Sequence, residues 1–112
     1  MTRPATAPVV ERVDRLHRYE IRVGGETIGF AAYRDRDGQR VFHHTEIDDA
    51  FTGRGLASVL VRQALADTRD AGKHVVPVCP YVAAHLRRHQ EFAGISDPVT
   101  PQILQWLDGT PH

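Results

Sequence analysis

The chain has 112 residues, 41% of them apolar, and its 14 Lys and Arg balance 14 Asp and Glu to a formal net charge of +0. One domain with an ordinary core fits that length, a second does not, and the even balance excludes bulk-charge recognition of nucleic acid or an acidic membrane. A lone cysteine, Cys79, rules out an internal disulfide; with no apolar run of about 18 residues and no secretory leader, it points to a cytoplasmic protein.

Residues 1–8, rich in Pro, Ala and Thr, read as a flexible tail ahead of a single domain over 9–112. Residues 19–47 read as a three-strand meander. Tyr19, Ile21 and Val23 alternate with polar residues, and Gly24-Gly25 signals a two-residue hairpin whose positions both favour positive φ. The second strand, 26–34, is expected to hold Ile28, Phe30 and Ala32 on one face. Asp35-Arg36-Asp37-Gly38 makes a turn, and the charged stretch 34–40 reads as a solvated loop. The third strand, 40–47, puts Val41, His43, Thr45 and Ile47 on one face and Phe42, His44 and Glu46 on the other.

The period then changes. Leu56, Leu60 and Ala64, beside Ala57, Val61 and Leu65, spell an amphipathic helix of about four turns, with Gly72 placed to stop it. A short strand over 74–78 contains Pro77, which cannot donate to a ladder, so it lies at an edge or parts from its neighbour there. Pro80 starts a second helix carrying Val82, Leu86 and His89. Thr100-Pro101, followed by Ile103, Leu104, Trp106 and Leu107, marks a short C-terminal helix with Trp106 as a packing anchor. The order βββαβα gives an α+β fold.

Between the third strand and the long helix lies Thr52-Gly53-Arg54-Gly55-Leu56-Ala57. Two glycines without Cβ let backbone approach a ligand closely. The helix start offers free N–H groups and about half a positive charge, which suits phosphate. A Walker A loop would need a terminal Gly-Lys-Ser/Thr, which is absent, and a dinucleotide fingerprint would place its first glycine directly after the strand. A tight strand-to-helix turn without ligand remains the other reading of these residues alone.

His44-Thr45-Glu46-Ile47, Gly53-Arg54-Gly55-Leu56-Ala57 and Cys79-Pro80-Tyr81-Val82, in this order of elements, resemble the GNAT acyl-CoA N-acetyltransferases. More narrowly they resemble a short stand-alone subfamily of about this length, over residues 19–92. The resemblance implies a GNAT-like mixed, mostly antiparallel sheet of meander, long helix, splayed strand and helix. It also implies acetyl-CoA as co-substrate. Backbone amides from Arg54 through Leu56 and Ala57 to Ser58, after Gly53, would hold the pyrophosphate, and backbone near Ile47 would pair with the pantetheine arm. Thr52 stands where the wider family prefers Arg or Gln, a departure that weakens a largely backbone contact without abolishing it.

Acetyl transfer to an amine needs a base for the amine and an acid for the leaving thiolate. His44 and Glu46, two apart on a strand, face one way and are the base candidates; a solvated Glu46 and a His44 packed on Phe42 are the alternative. Cys79 stands at a helix start, where a thiol gains reactivity, and could act as acid or accept the acetyl group itself; a small buried hydrophobe is the alternative. The tyrosine that most such enzymes use as acid has its place taken by Arg87, which leaves Cys79 or Tyr81 to serve. Arg87-Arg88-His89, with His85 one turn back, form a basic patch that either meets outer phosphates or covers a wet helix face. His85 and His89 lack a third partner for a metal.

The sequence thus reads as an N-acetyltransferase that moves an acetyl group from acetyl-CoA to a protein lysine or small amine. No metal, nucleic acid or membrane partner is expected, and the chain is a monomer or a weak dimer through its edge strand. The alternatives are a non-catalytic acyl-CoA-binding or sensing module, and an interaction domain with no ligand.

Overall fold

A computed structural model describes residues 7–109, so residues 1–6 of the expected tail lie outside the described part. The strands are β1 (Val9–Val13), β2 (Arg18–Val23), β3 (Glu26–Arg36), β4 (Gln39–Ile47) and β5 (His74–Pro77), and the helices α1 (Leu56–Asp70), α2 (Pro80–Arg88) and α3 (Pro101–Asp108). The fold is α+β, and the five strands form one sheet in the order β1-β2-β3-β4-β5. Every neighbouring pair is antiparallel except β4 and β5, which run parallel because α1 carries the chain back between them. Among the described residues no helix is long and apolar enough to cross a membrane.

The expected meander is β2–β4, and β5 takes the expected edge. The other edge strand, β1, is an addition to the sequence reading. None of its residues is fully buried, so no apolar alternation marks it. Beyond its ladder to β2 and the half-buried Val10, its hold is charged: Arg12 reaches Asp67 of α1 at 2.6 Å, and Arg22 of β2 pairs with Glu11.

Successive residues of a strand point to opposite faces, so the two valines and one phenylalanine at Val41, Phe42 and Val76 serve two cores. Phe42 joins Tyr19, Ile21, Leu60, Leu65, Val75, Val82 and Phe92 beneath α1 and α2. Val41 and Val76 join Ile103 and Leu107 of α3 on the opposite face. Thr100 caps α3, its hydroxyl accepting from the Ile103 N–H at 3.2 Å, and Trp106 packs on this smaller core as expected.

Two β-bulges correct the expected strand faces. Pairing of β3 with β4 passes from Tyr33↔Phe42 to Ala32↔His44, so His43 is the extra residue of a bulge. The strict alternation that grouped Phe42 with His44 and Glu46 therefore fails: Phe42 is core, while His44 and Glu46 are exposed on the other face. A second bulge, between Ile21↔Gly29 and Arg22↔Thr27, makes Ile28 the extra residue. Ile28, Ala31 and Tyr33 are core, whereas Phe30 and Ala32 face the other way, with Phe30 beside the His44 ring at 5.7 Å. One residue inserted on one side of a ladder reverses every side chain beyond it.

The charged stretch 34–40 is not a solvated loop, because β3 runs on to Arg36 and Arg40 is only 4% exposed. Arg40 donates to both carboxylate oxygens of Asp35, at 2.8 and 3.0 Å, and to the Tyr19 hydroxyl at 2.7 Å. Its guanidinium also lies 4.5 Å from the Tyr33 ring centroid. Tyr19 in turn donates to Asp67 of α1 at 2.6 Å. Burial first, and that bond second, push the Tyr19 phenol up to about 12. A planar fork satisfied on several sides is what makes a buried cation tolerable. Arg40→Met keeps the apolar bulk but removes the fork, and should cost about 2–3 kcal/mol in urea unfolding. A loss under about 0.5 kcal/mol would mean that the network contributes nothing to stability.

Candidate functional site

The site begins where β4 and β5 part. The two strands pair only from Gln39↔His74 to Phe42↔Pro77. Pro77 has no N–H to give, the Val78 N–H turns back to the Val76 carbonyl at 3.1 Å, and Cys79 N–H makes a bond to the Phe42 carbonyl at 2.8 Å. From there the chain after β5 enters α2, while β4 continues to Ile47. Asp48 N–H donates to Ile28 C=O at 2.7 Å, so Asp48 faces β3. By the two-residue alternation of an antiparallel ladder, Thr45 and Ile47 then present their backbone amides and carbonyls to the gap.

The chain next crosses a short 3-10 turn, Asp49–Phe51, and reaches α1. Gly53 and Gly55 hold φ of 81° and 73°, in the region that glycine adopts without strain. Gly55 is the residue before the helix, and no side chain caps the α1 N-terminus. The first N–H groups of a helix have no partner within it, so here they remain available to an anion.

The gap and the helix start open into one cleft. Its inner chamber, about 130 Å³, is lined by Ile47, Gly53, Gly55, Leu56, Ala57 and Tyr81. A larger chamber of about 460 Å³ continues between α1 and α2, past Ser58 and Val61 on one side and Pro80, His85, Arg88 and His89 on the other. Gly55, Ala57 and Tyr81 border both chambers. Tyr81 stands half exposed at the mouth, although it directly follows the first residue of α2.

Most residues expected to bind a phosphorylated carrier thus meet in one place. Ile47, Gly53, Gly55, Leu56, Ala57, Ser58 and Arg88 line the cleft. Arg54 turns aside, its guanidinium 5.1 Å from the Phe51 ring centroid, and Arg87 points to solvent. Cys79 lies under the cleft floor at 1% exposure, its sulfur 3.1 Å from the Thr45 hydroxyl. His44 and Glu46 bond to each other at 3.0 Å on the opposite face of the sheet, both exposed. Glu46 also borders a separate groove of about 510 Å³ that includes Asp48 and Asp49.

His85 is the wall residue that the sequence reading misplaced, having grouped it with a surface patch. It is 6% exposed and packs near Phe92, with ring centroids 6.5 Å apart. Spacing from Val82 was the available signal, since three residues bring His85 back to the buried side of α2. Its neighbour His89 lies 4.4 Å away, centroid to centroid. Burial first, then the positive surroundings of His89, Arg62 and Arg88, hold the His85 imidazole below its usual range. Among the described residues no group of three or more His, Cys, Asp or Glu is arranged to hold a metal ion.

The cradle reading has a direct test in Gly55→Glu. A Cβ at residue 55 meets nothing within 4 Å, so the substitution adds backbone strain at φ +73° but no clash. Strain of roughly 1–2 kcal/mol leaves a folded protein. A carboxylate added beside the α1 N-terminus opposes a bound anion, so calorimetric affinity for inorganic pyrophosphate should fall at least about tenfold. Affinity within about twofold of the unmodified protein would remove the cradle.

A family model described as GCN5-related N-acetyl-transferase matches residues 18–95, from the start of β2 through the turn after α2. A search of curated proteins gives no match.

Proposed function

The chain belongs to the GCN5-related N-acetyltransferase family, and from that premise we propose that it moves an acetyl group from acetyl-CoA to an amine. One observation carries the reading: the uncovered edge of β4 beyond its pairing with β5 leads through Ile47 to the uncapped start of α1, and Ile47 and Gly55 line one chamber. An extended arm ending in phosphates fits that sequence of surfaces. The residues present suit such a carrier, since Gly53 and Gly55 leave open the space a Cβ would take.

Acetyl-CoA supplies the acetyl thioester when bound. The backbone of Ile47 and Thr45 orients its arm, and the α1 amides from Leu56 to Ser58 neutralise its pyrophosphate. His44 and Glu46 project from the same strand to the opposite face, so the carrier and the acceptor approach β4 from different sides. His44 takes the proton of the acceptor amine, directly or through water, and Glu46 orients the imidazole. The carboxylates of Glu46, Asp48 and Asp49 in the adjoining groove favour a cationic amine, such as a lysine or a polyamine. Tyr81, at the mouth and bordering both chambers, is placed to return a proton to the leaving thiolate. Cys79 holds Thr45 beneath the cleft floor, and its burial favours direct transfer over a relay through its sulfur.

Titration with acetyl-CoA followed by intact mass tests the reading. Micromolar binding is expected, with no acetylated protein in the absence of an amine and turnover when lysine peptides or polyamines are added. No binding would sink the proposal, and an acetyl adduct abolished by Cys79→Ala would replace direct transfer with a two-step route. His44→Gln should lower kcat/KM about a hundredfold while leaving acetyl-CoA affinity within about twofold. Unchanged kcat/KM would move the base elsewhere.

A further inference from the structure

The sheet ends on β1, and among the described residues nothing pairs with its outer edge. Which groups face outward follows from the neighbouring ladder. The Tyr33 N–H donates to the His17 carbonyl at 2.9 Å, which marks a hydrogen-bonded pair where β2 begins to meet β3. Such pairs recur at every second residue. Tyr19 and Ile21 thus turn their amides and carbonyls to β3, and Arg18, Glu20 and Arg22 turn theirs to β1. Opposite the latter, Val13, Glu11 and Val9 face β2, which leaves the amides and carbonyls of Val10 and Arg12 pointing out of the sheet. Both ends of this free edge are closed. Pro8, the next outward position, has no N–H. Asp14 begins a 3-10 turn, in which its carbonyl takes the His17 N–H at 3.0 Å. Val9 is 59% exposed and Val13 half-buried, both on the face opposite Val10 and the main core.

We propose that this edge docks the same edge of a second copy of the chain, antiparallel about a two-fold axis, so that two five-stranded sheets become one. An exposed strand edge is a template for another strand, and a two-fold pairing sets residues of one face opposite residues of that same face. One register uses every outward group. With Val10 opposite Arg12 of the second copy, and Arg12 opposite its Val10, each copy gives two N–H donors and accepts at two carbonyls. Sliding by two residues one way puts Arg12 opposite Pro8, which has no N–H to give. Sliding the other way puts Val10 opposite Asp14, whose carbonyl is already engaged in the turn. In the selected register Val9 of each copy lies opposite Val13 of the other and is covered by it. Glu11 meets its own equivalent at the axis, and each Glu11 is paired with the Arg22 behind it. The two carboxylates still repel, and so short a ladder buries little area, which sets a weak dimer with a Kd on the order of 100 µM.

The test is sedimentation of the full chain from about 10 µM to about 1 mM, a range that brackets that Kd. The unmodified protein should pass from monomer to dimer across it. Val10→Pro removes one outward N–H and no bond to β2, so the variant should fold and remain monomeric. Glu11→Gln removes the like charges at the axis and should tighten the dimer about two- to fivefold. A protein that is monomeric at every concentration would overturn the proposal. So would a dimer that Val10→Pro leaves intact, or one that Glu11→Gln weakens. If Val10→Pro does not fold, amide hydrogen exchange in the unmodified protein takes its place. Raising the concentration should slow exchange at Val10 and Arg12, while Glu11 and Val13, already bonded to β2, keep their rates. Equal slowing at all four residues, or none at any, would reject the edge.

Discussion

Pro77 has no amide hydrogen, and the arrangement of the site follows from that lack. A parallel pair is held by evenly spaced bonds from each strand to the next, and a residue that cannot donate ends the pairing on its side. Here the strands have been in register for only four residue pairs when this happens. The Cys79 N–H closes the joint on the Phe42 carbonyl, and Pro80 turns the chain at once into α2. The partner strand is not stopped. It runs on with one edge uncovered, so backbone that would ordinarily bind backbone is left without a strand partner there.

The bulge at His43 has an equally direct effect. Without it, a side chain facing the core at Phe42 would be followed by core-facing positions at His44 and Glu46. With it, Thr45 turns inward to meet Cys79, and the His44–Glu46 pair emerges on the far side of the sheet. That side is paved with charge: Arg18 and Arg22 hold Glu20 between them, and Arg18 also covers the Phe30 ring at 4.6 Å. A polar surface beside an imidazole–carboxylate pair suits an amine. The apolar chamber between α1 and α2 suits the body of a carrier. One inserted residue thus separates two chemistries across the thickness of a strand.

Legibility in the sequence followed periodicity. α1 was readable because Leu56, Leu60, Ala64 and Leu65 repeat along one buried face, and the β2–β3 hairpin because Gly24-Gly25 marks its turn. The helix-start glycines and the parting at Pro77 were readable because glycine and proline act through the backbone, at the residue itself. β1 was not, since a backbone ladder, ion pairs and one half-buried valine hold it, and none of these shows as apolar alternation. Bulges were not, because nothing in the residues at Ile28 or His43 announces an extra position in a ladder. Arg40 read as surface because charge usually does, and only the tertiary placement of Asp35, Tyr19 and Tyr33 makes its burial affordable. His85 read as part of a basic patch for the same reason.

The smaller core has a consequence for motion. Val41 and Val76 are the back of the joint from which β4 and β5 diverge, and α3 covers them with Ile103 and Leu107. Four buried side chains make a modest core, and elements held by few buried apolar contacts are the ones that open locally at least cost. A lift of α3 would loosen the clamp behind the joint and free the two strands to hinge. The width of the cleft would thereby be set from the opposite side of the sheet, by a helix that lines neither chamber.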